Sequence, residues 1–270
     1  MTQGYVILAQ NNHTTDYVQC ARVLAKSLKS VGDTRSITLL TDSLKYDNLD
    51  TFDQVILLDQ TVGNHAWKLN DDWQVYDLSP YDETFKIESD VIVTRSIDHW
   101  WDICRDREIV VATGTRNFRQ HVSTVRSYRR MLDENLLPDV YNGITYFKKT
   151  QLAKDFFNLV KTFFDNWTEF NDILKYDHVQ EFGDTDTIYA MICKILGVEK
   201  TTLPTNIIQW VHMKSMINGT MNPWTKECIW ELISSDFRIN TISQMYPVHY
   251  HDKELAKYLE PIYDKQLNTN

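Results

Sequence analysis

Glycine is scarce in this chain, with eight in 270 residues, roughly half the usual ~7% share. No two of them lie close enough to form a G-x-G-x-x-G turn or a P-loop, so a glycine cradle for phosphate is excluded. Any phosphate group handled here must be met by a metal ion and side chains instead. Cysteine is sparse too: Cys20, Cys104, Cys193 and Cys228 stand far apart, fit no metal spacing and read as reduced core thiols. No run approaches the ~18 apolar residues of a membrane span. Met1 to Gly4 leads directly into a strand without a basic and apolar signal segment. The expectation is a cytoplasmic protein with no membrane span.

The length suits one large domain, or a domain with a small appendage. We place residues 1–253 in a catalytic domain and 254–270 in a C-terminal helical tail. Fourteen tyrosines and eight tryptophans serve packing, or stacking on bases and sugars. Gly4 to Ala9 reads as a buried strand. Val18, Ala21, Leu24, Ala25 and Leu28 then fall at helical spacing up to Gly32, and Ile37 to Leu40 is a second strand. This βαβ unit implies an α/β protein with a parallel sheet. Further strands are expected at Gln54–Asp59, Ile109–Gly114 and 140–148. Helices are expected at Ala66–Leu78, at Leu152–Trp167 and after Asp186, with Asp184 or Asp186 as an N-cap.

The most informative stretch is YDETFKIESDVIVTRSIDHWW, Tyr81 to Trp101. It reads as a buried strand that surfaces at Glu88-Ser89-Asp90 and turns. Two carboxylates two residues apart share one face of an extended chain. Such carboxylates are costly in a strand unless neutralised, and hard oxygen ligands suit Mn²⁺ or Mg²⁺. The bland alternative is an acidic turn between two strands.

The acid-x-Asp segment followed by Ile97-Asp98 resembles the DxD segment of GT-A glycosyltransferases, closest to the glycogenin and bacterial galactosyltransferase branch. Glu88 departs from the family's usual aspartate. The resemblance implies the GT-A fold, with a mixed, mostly parallel central sheet flanked by helices. It also implies a metal-dependent transfer of sugar from a nucleoside diphosphate, by family habit a UDP-sugar. In it Asp90, His249 and Glu88 hold the metal, with His251 the competing histidine in Val248-His249-Tyr250-His251. Ala9, Asn11, Asp42, Lys68, Glu88, Ser89 and Lys253 are expected to bind the donor. Asn142 in Tyr141-Asn142-Gly143 is expected to meet the donor sugar, and Asp184 or Asp186 to lie near the reacting carbon.

Seven of the eleven arginines lie between Arg105 and Arg130, in a chain of net charge −9. Arg116, Arg119, Arg126, Arg129 and Arg130 are candidate acceptor contacts, and a basic face suits a phosphate-bearing acceptor such as duplex DNA. The Ser79–Trp101 wording, SPYDETFKIESD…IDHWW, also resembles glycosyltransferase-like proteins of large tailed phages. That implies hydroxymethylated cytosine in phage DNA as acceptor, with the host cytoplasm as location. The competing readings are the same chemistry on a glycan, lipid-linked or protein acceptor, and a GT-A-like domain that binds a nucleotide or partner without catalysis.

Overall fold

A computed structural model describes residues 1–59, 68–122, 130–174, 183–204, 207–213 and 222–269, without the side chains of Lys68, Leu69 and Arg130. Strands β1 (Gln3–Leu8), β2 (Ser36–Thr41), β3 (Gln54–Leu57), β4 (Glu83–Ile87), β6 (Ile109–Thr113) and β7 (Val140–Lys148) form one sheet in the order β3-β2-β1-β4-β7-β6. Strands β3, β2, β1 and β4 are mutually parallel, and β7 runs antiparallel to both β4 and β6. The near-continuous apolar runs of β1, β2 and β6 suit a sheet covered on both faces.

Helix α1 (Tyr17–Ser30) starts where the Asp16 carboxylate accepts the Gln19 N–H at 2.8 Å. Its buried Val18, Ala21, Leu24, Ala25 and Leu28 cover one face of the sheet together with helix α2 (Asp98–Cys104). Trp100 and Trp101 of α2 belong to that core. Trp101 packs edge-on against Phe85 at 4.7 Å between ring centroids and donates its indole N–H to the Tyr5 hydroxyl. Helices α3 (Gln151–Asp165) and α4 (Thr185–Leu196) cover the other face, burying Phe156, Phe157, Val160, Ile188 and Tyr189. Between Lys68 and Leu78 the chain is helical, as its spacing predicts, but begins as a 3₁₀ segment over Lys68–Gln74.

Two small sheets complete the domain. One holds β5 (Val91–Ile92), β12 (Val248–His249) and β8 (Val211–His212); the other holds β9 (Trp230–Ile233), β10 (Asp236–Ile239) and β11 (Ile242–Ser243). The C-terminal segment forms α5 (Ala256–Leu267), whose Leu259 and Tyr263 are buried in one core with Cys20 and Val23 of α1. Among the described residues no helix is long and apolar enough to cross a membrane.

An ion cluster fastens α5 to α1. Glu260 accepts from Arg22 Nε at 2.7 Å, Lys26 Nζ at 3.0 Å and Gln19 Nε2 at 2.9 Å. Burial pushes the Glu260 carboxyl up, but the hydrogen bonds from Arg22, Gln19 and Lys26 outweigh it and bring it down to about 2. A carboxyl held below its unfolded value stabilises the fold above that value and loses the contribution as pH falls toward the folded one. Glu260→Gln should therefore cost about 1–2 kcal/mol at neutral pH, the worth of a charged hydrogen bond discounted for partial exposure. In urea unfolding the gap between wild type and variant should close as pH is lowered from about 5 toward about 2. A gap that does not change with pH would show that the charge of Glu260 contributes nothing.

Candidate functional site

Open α/β sheets present ligand sites beyond the carboxyl ends of their parallel strands. Here β1 ends into Ala9-Gln10 and β4 into Glu88-Ser89-Asp90. Because β7 is antiparallel, its amino-terminal end, Tyr141 to Gly143, lies at the same edge. The register sets Ile87 opposite Ile144, and the Glu88 N–H donates to the Gly143 carbonyl at 2.9 Å. Gly143 is required there by close approach. A Cβ would stand 2.9 Å from Trp210 Cη2 and 3.1 Å from Glu88 Oε2.

The chain turns through Ser89-Asp90 into β5, which pairs antiparallel with β12 so that His249 lies opposite Val91. That pairing delivers an imidazole from 159 residues away, and His249 Nε2 shares a 2.8 Å hydrogen bond with Asp90 Oδ2. Lys253 Nζ approaches the same oxygen at 2.7 Å, and Glu88 Oε2 lies 3.6 Å from His249 Nε2. One ligand atom from each of Glu88, Asp90 and His249 falls within 4.8 Å of the others. Two carboxylate oxygens and an imidazole nitrogen suit Mn²⁺ or Mg²⁺, so these residues fit the metal that the sequence implies. His249 Nδ1 is buried and has no hydrogen-bond partner among the described residues, so the ring's polar contacts are on its Nε2 side.

A cavity of about 480 Å³ opens over this group. Ala9, Ser89, Asp184, Asp186 and Lys253, all expected at the site, line it together with Glu88, Asp90 and His249. Asp184 is also the N-cap of α4, its Oδ2 accepting from the N–H of Thr187 at 3.1 Å and from its hydroxyl at 2.7 Å. Asp186 Oδ1 accepts the Asn142 backbone N–H at 2.7 Å.

Other expected residues lie elsewhere. Asn142 is only 1% exposed and is not among the cavity's lining residues; its amide donates to Glu88 Oε1 at 3.2 Å. The Asn11 side chain accepts the Val18 N–H at 2.9 Å, and Asp42 accepts from the Tyr46 hydroxyl at 2.8 Å; neither lines the cavity. The Lys68 side chain lies outside the described residues, as do Arg126, Arg129 and the side chain of Arg130. Arg116 is engaged internally. It donates to Gln209 Oε1 at 3.0 Å and to the Gln120 carbonyl at 2.6 Å, and covers the Tyr246 ring. Arg119 is exposed and lies over Phe118 at 4.6 Å.

The sequence reading missed several residues that line the cavity, among them Tyr17, Tyr141, Trp210 and His212. His212 stacks on His249 at 4.8 Å with an interplanar angle of 8°, and Trp210 stacks behind His212 at 5.6 Å. The available signal was a repeated Val-His dipeptide. Val211-His212 and Val248-His249 pair in parallel register, histidine beside histidine. His251, the competing ligand candidate, lies 5.7 Å from His249 by ring centroid and also lines the cavity, but the group of converging ligand atoms contains His249.

No protein-family model matches the sequence, and no curated protein sequence does. Solved structures do. The galactosyltransferase LgtC, solved with donor and acceptor sugar analogues, is 12% identical, with 96% of this chain and 95% of that one covered and a TM-score of 0.57. Mouse xyloside xylosyltransferase 1 is 11% identical over 79% of this chain and 88% of that one, with a TM-score of 0.51. GlyE of Streptococcus pneumoniae aligns at a TM-score of 0.46 and 13% identity over 76% of this chain, which spans 46% of the length of GlyE. The chain has the fold of the GT-A glycosyltransferases, a mixed central sheet flanked by helices, as the resemblance implies.

Electrostatics separate the two acids. Burial pushes Asp90 up, but the charges and hydrogen bonds of His249 and Lys253 overcome it and hold the carboxyl well below its ordinary range. Burial pushes the Glu88 carboxyl up to about 7. His249 is lowered by burial and raised more strongly by Asp90, for a net rise. A metal ion must displace the protons from Glu88 and His249. Affinity for Mn²⁺ should therefore rise with pH through neutrality, by about tenfold per pH unit for each proton displaced, or up to about a hundredfold where both groups are protonated. Isothermal titration near pH 6, 7 and 8 measures this, and a flat profile would contradict ligation by these groups.

Proposed function

We propose that this chain is a metal-dependent glycosyltransferase. It moves a sugar from a nucleoside diphosphate sugar, by resemblance a UDP-sugar, to an acceptor hydroxyl. The observation that carries this reading is the convergence of Asp90, Glu88 and His249 at the strand ends of a GT-A sheet, beneath a cavity of about 480 Å³. A divalent ion held there supplies Lewis-acid stabilisation of the departing diphosphate.

The chain's own residues supply the rest. Lys253, which lines the cavity beside Asp90, would add a cation where negative charge develops on the diphosphate. Asp184 and Asp186 line the same cavity, and by the family resemblance one of these carboxylates would face the sugar's reacting carbon. Tyr17, Tyr141 and the Trp210–His212 stack give flat surfaces for a base or sugar ring. For the acceptor, hydroxymethylated cytosine in phage DNA remains the specific candidate from sequence. Of the candidate acceptor arginines whose side chains are described, Arg116 is spent on internal contacts and Arg119 is exposed; a glycan, lipid-linked or protein acceptor is the competing reading.

The test is turnover of UDP-sugars in the presence and absence of Mn²⁺, without acceptor (hydrolysis) and with hydroxymethylated duplex DNA or simple glycosides. Mn²⁺-dependent release of UDP is expected. It should fall at least about a hundredfold in Asp90→Ala, because loss of Lewis-acid stabilisation costs several kcal/mol of transition-state binding. Metal-dependent binding of UDP with no turnover on any acceptor would leave a nucleotide-binding domain without catalysis. No binding and no turnover would overturn the proposal.

A further inference from the structure

Lys86 occupies the fourth place of a five-residue buried strand, with 2% of its surface exposed. The functional reading above does not use it. An ammonium carries three donors and no acceptor. One donor meets Asp72 Oδ1 at 2.5 Å, in a pair whose side chains are 2% and 1% exposed. The Tyr189 hydroxyl, 3.5 Å from Lys86 Nζ, donates to the other oxygen of Asp72. Another Lys86 donor meets the side-chain oxygen of Asn142.

This last contact fixes a choice that an amide otherwise has. Because a lysine only donates, Asn142 must turn its oxygen toward Nζ, and its NH₂ group then points the other way. There it donates to Glu88 Oε1 at 3.2 Å, which leaves Glu88 Oε2 facing His249. Asp90 is already held by His249 and Lys253. Glutamate has one more torsion to fix than aspartate, and here the fixing hydrogen bond comes from Asn142.

We infer that Asp72 and Lys86 are positioning residues for the candidate metal ligand Glu88, acting through the amide of Asn142. The inference rests on the metal site proposed above. A buried ion pair is a poor source of net stability, since apolar residues of similar volume serve as well or better. What an apolar pair cannot do is hold the Asn142 oxygen away from Glu88. Without Lys86 the buried Asn142 oxygen has no donor there, so the amide loses its anchor and the hydrogen bond that fixes Glu88 loosens.

The test removes the whole buried chain without leaving an orphaned charge, in the triple variant Asp72→Leu, Lys86→Met, Tyr189→Phe. Mn²⁺ alone is titrated and free Mn²⁺ is read by electron paramagnetic resonance; melting temperature is measured without metal. The variant should melt within about 5 °C of wild type and bind Mn²⁺ about 10–100-fold more weakly, the usual cost of losing an outer-shell partner. Asn142→Leu alone, which leaves the Lys86–Asp72 pair in place, should show the same loss. Adding Asn142→Leu to the triple variant should cost little more, because residues acting in series are not additive. A folded triple variant that binds Mn²⁺ as wild type does would overturn the inference. If the triple variant does not fold, unchanged affinity in Asn142→Leu overturns it equally. Failure of the metal-site reading looks different: wild type itself would then bind Mn²⁺ no better than Asp90→Ala.

Discussion

The site depends on keeping one buried carboxylate charged. Asp90 is 5% exposed, and an ionised acid so placed costs several kcal/mol unless paired. The pairing comes from the far end of the chain. Strand β12 runs antiparallel to β5, the Tyr250 N–H donates to the Asp90 carbonyl at 3.0 Å, and His249 and Lys253 converge on the Asp90 side chain. Once β12 is fixed, β8 lies alongside it and Trp210 and His212 become one wall of the cavity. Helix α5 follows directly and closes on α1, so the same stretch that neutralises Asp90 also fastens the C-terminal core.

Four carboxylates, Glu88, Asp90, Asp184 and Asp186, border a cavity that holds one lysine. Such a surface repels a free diphosphate unless a cation joins it. This agrees with a chain too poor in glycine to cradle phosphate with backbone N–H groups. On the proposed reading, the charge that lets a net-acidic protein handle an anionic donor would come from a metal ion rather than from a basic surface.

Much of this was legible in the sequence because it is written in local patterns. The apolar runs and helical spacing of residues 4–40 fixed the first βαβ unit, and Glu88 and Asp90 stood out as acids where a buried strand ends. His249 stood out through the resemblance of Val248-His249 to the family's late histidine segment. What stayed hidden depends on contacts between distant segments. Nothing local shows that the Asn142 amide is held by Lys86, 56 residues earlier in the chain. Asn11 and Asp42 are donor-binding candidates through the resemblance alone; their side chains also meet the Val18 N–H at a helix start and the Tyr46 hydroxyl, contacts no local pattern shows. Charge density along the chain likewise does not say which guanidinium is engaged internally: Arg116 is held by Gln209 and Gln120, whereas Arg119 is exposed. Lys86 itself was a legible anomaly, a lysine within an apolar strand.

The most direct test of the central claim is a crystal grown with Mn²⁺ and UDP, with anomalous diffraction recorded at the manganese edge. We predict a single strong peak within coordination distance of Asp90, Glu88 and His249, with the diphosphate on its cavity side next to Lys253. A nucleotide bound elsewhere, or a cavity whose three ligand residues show no manganese at saturating concentration, would contradict the account.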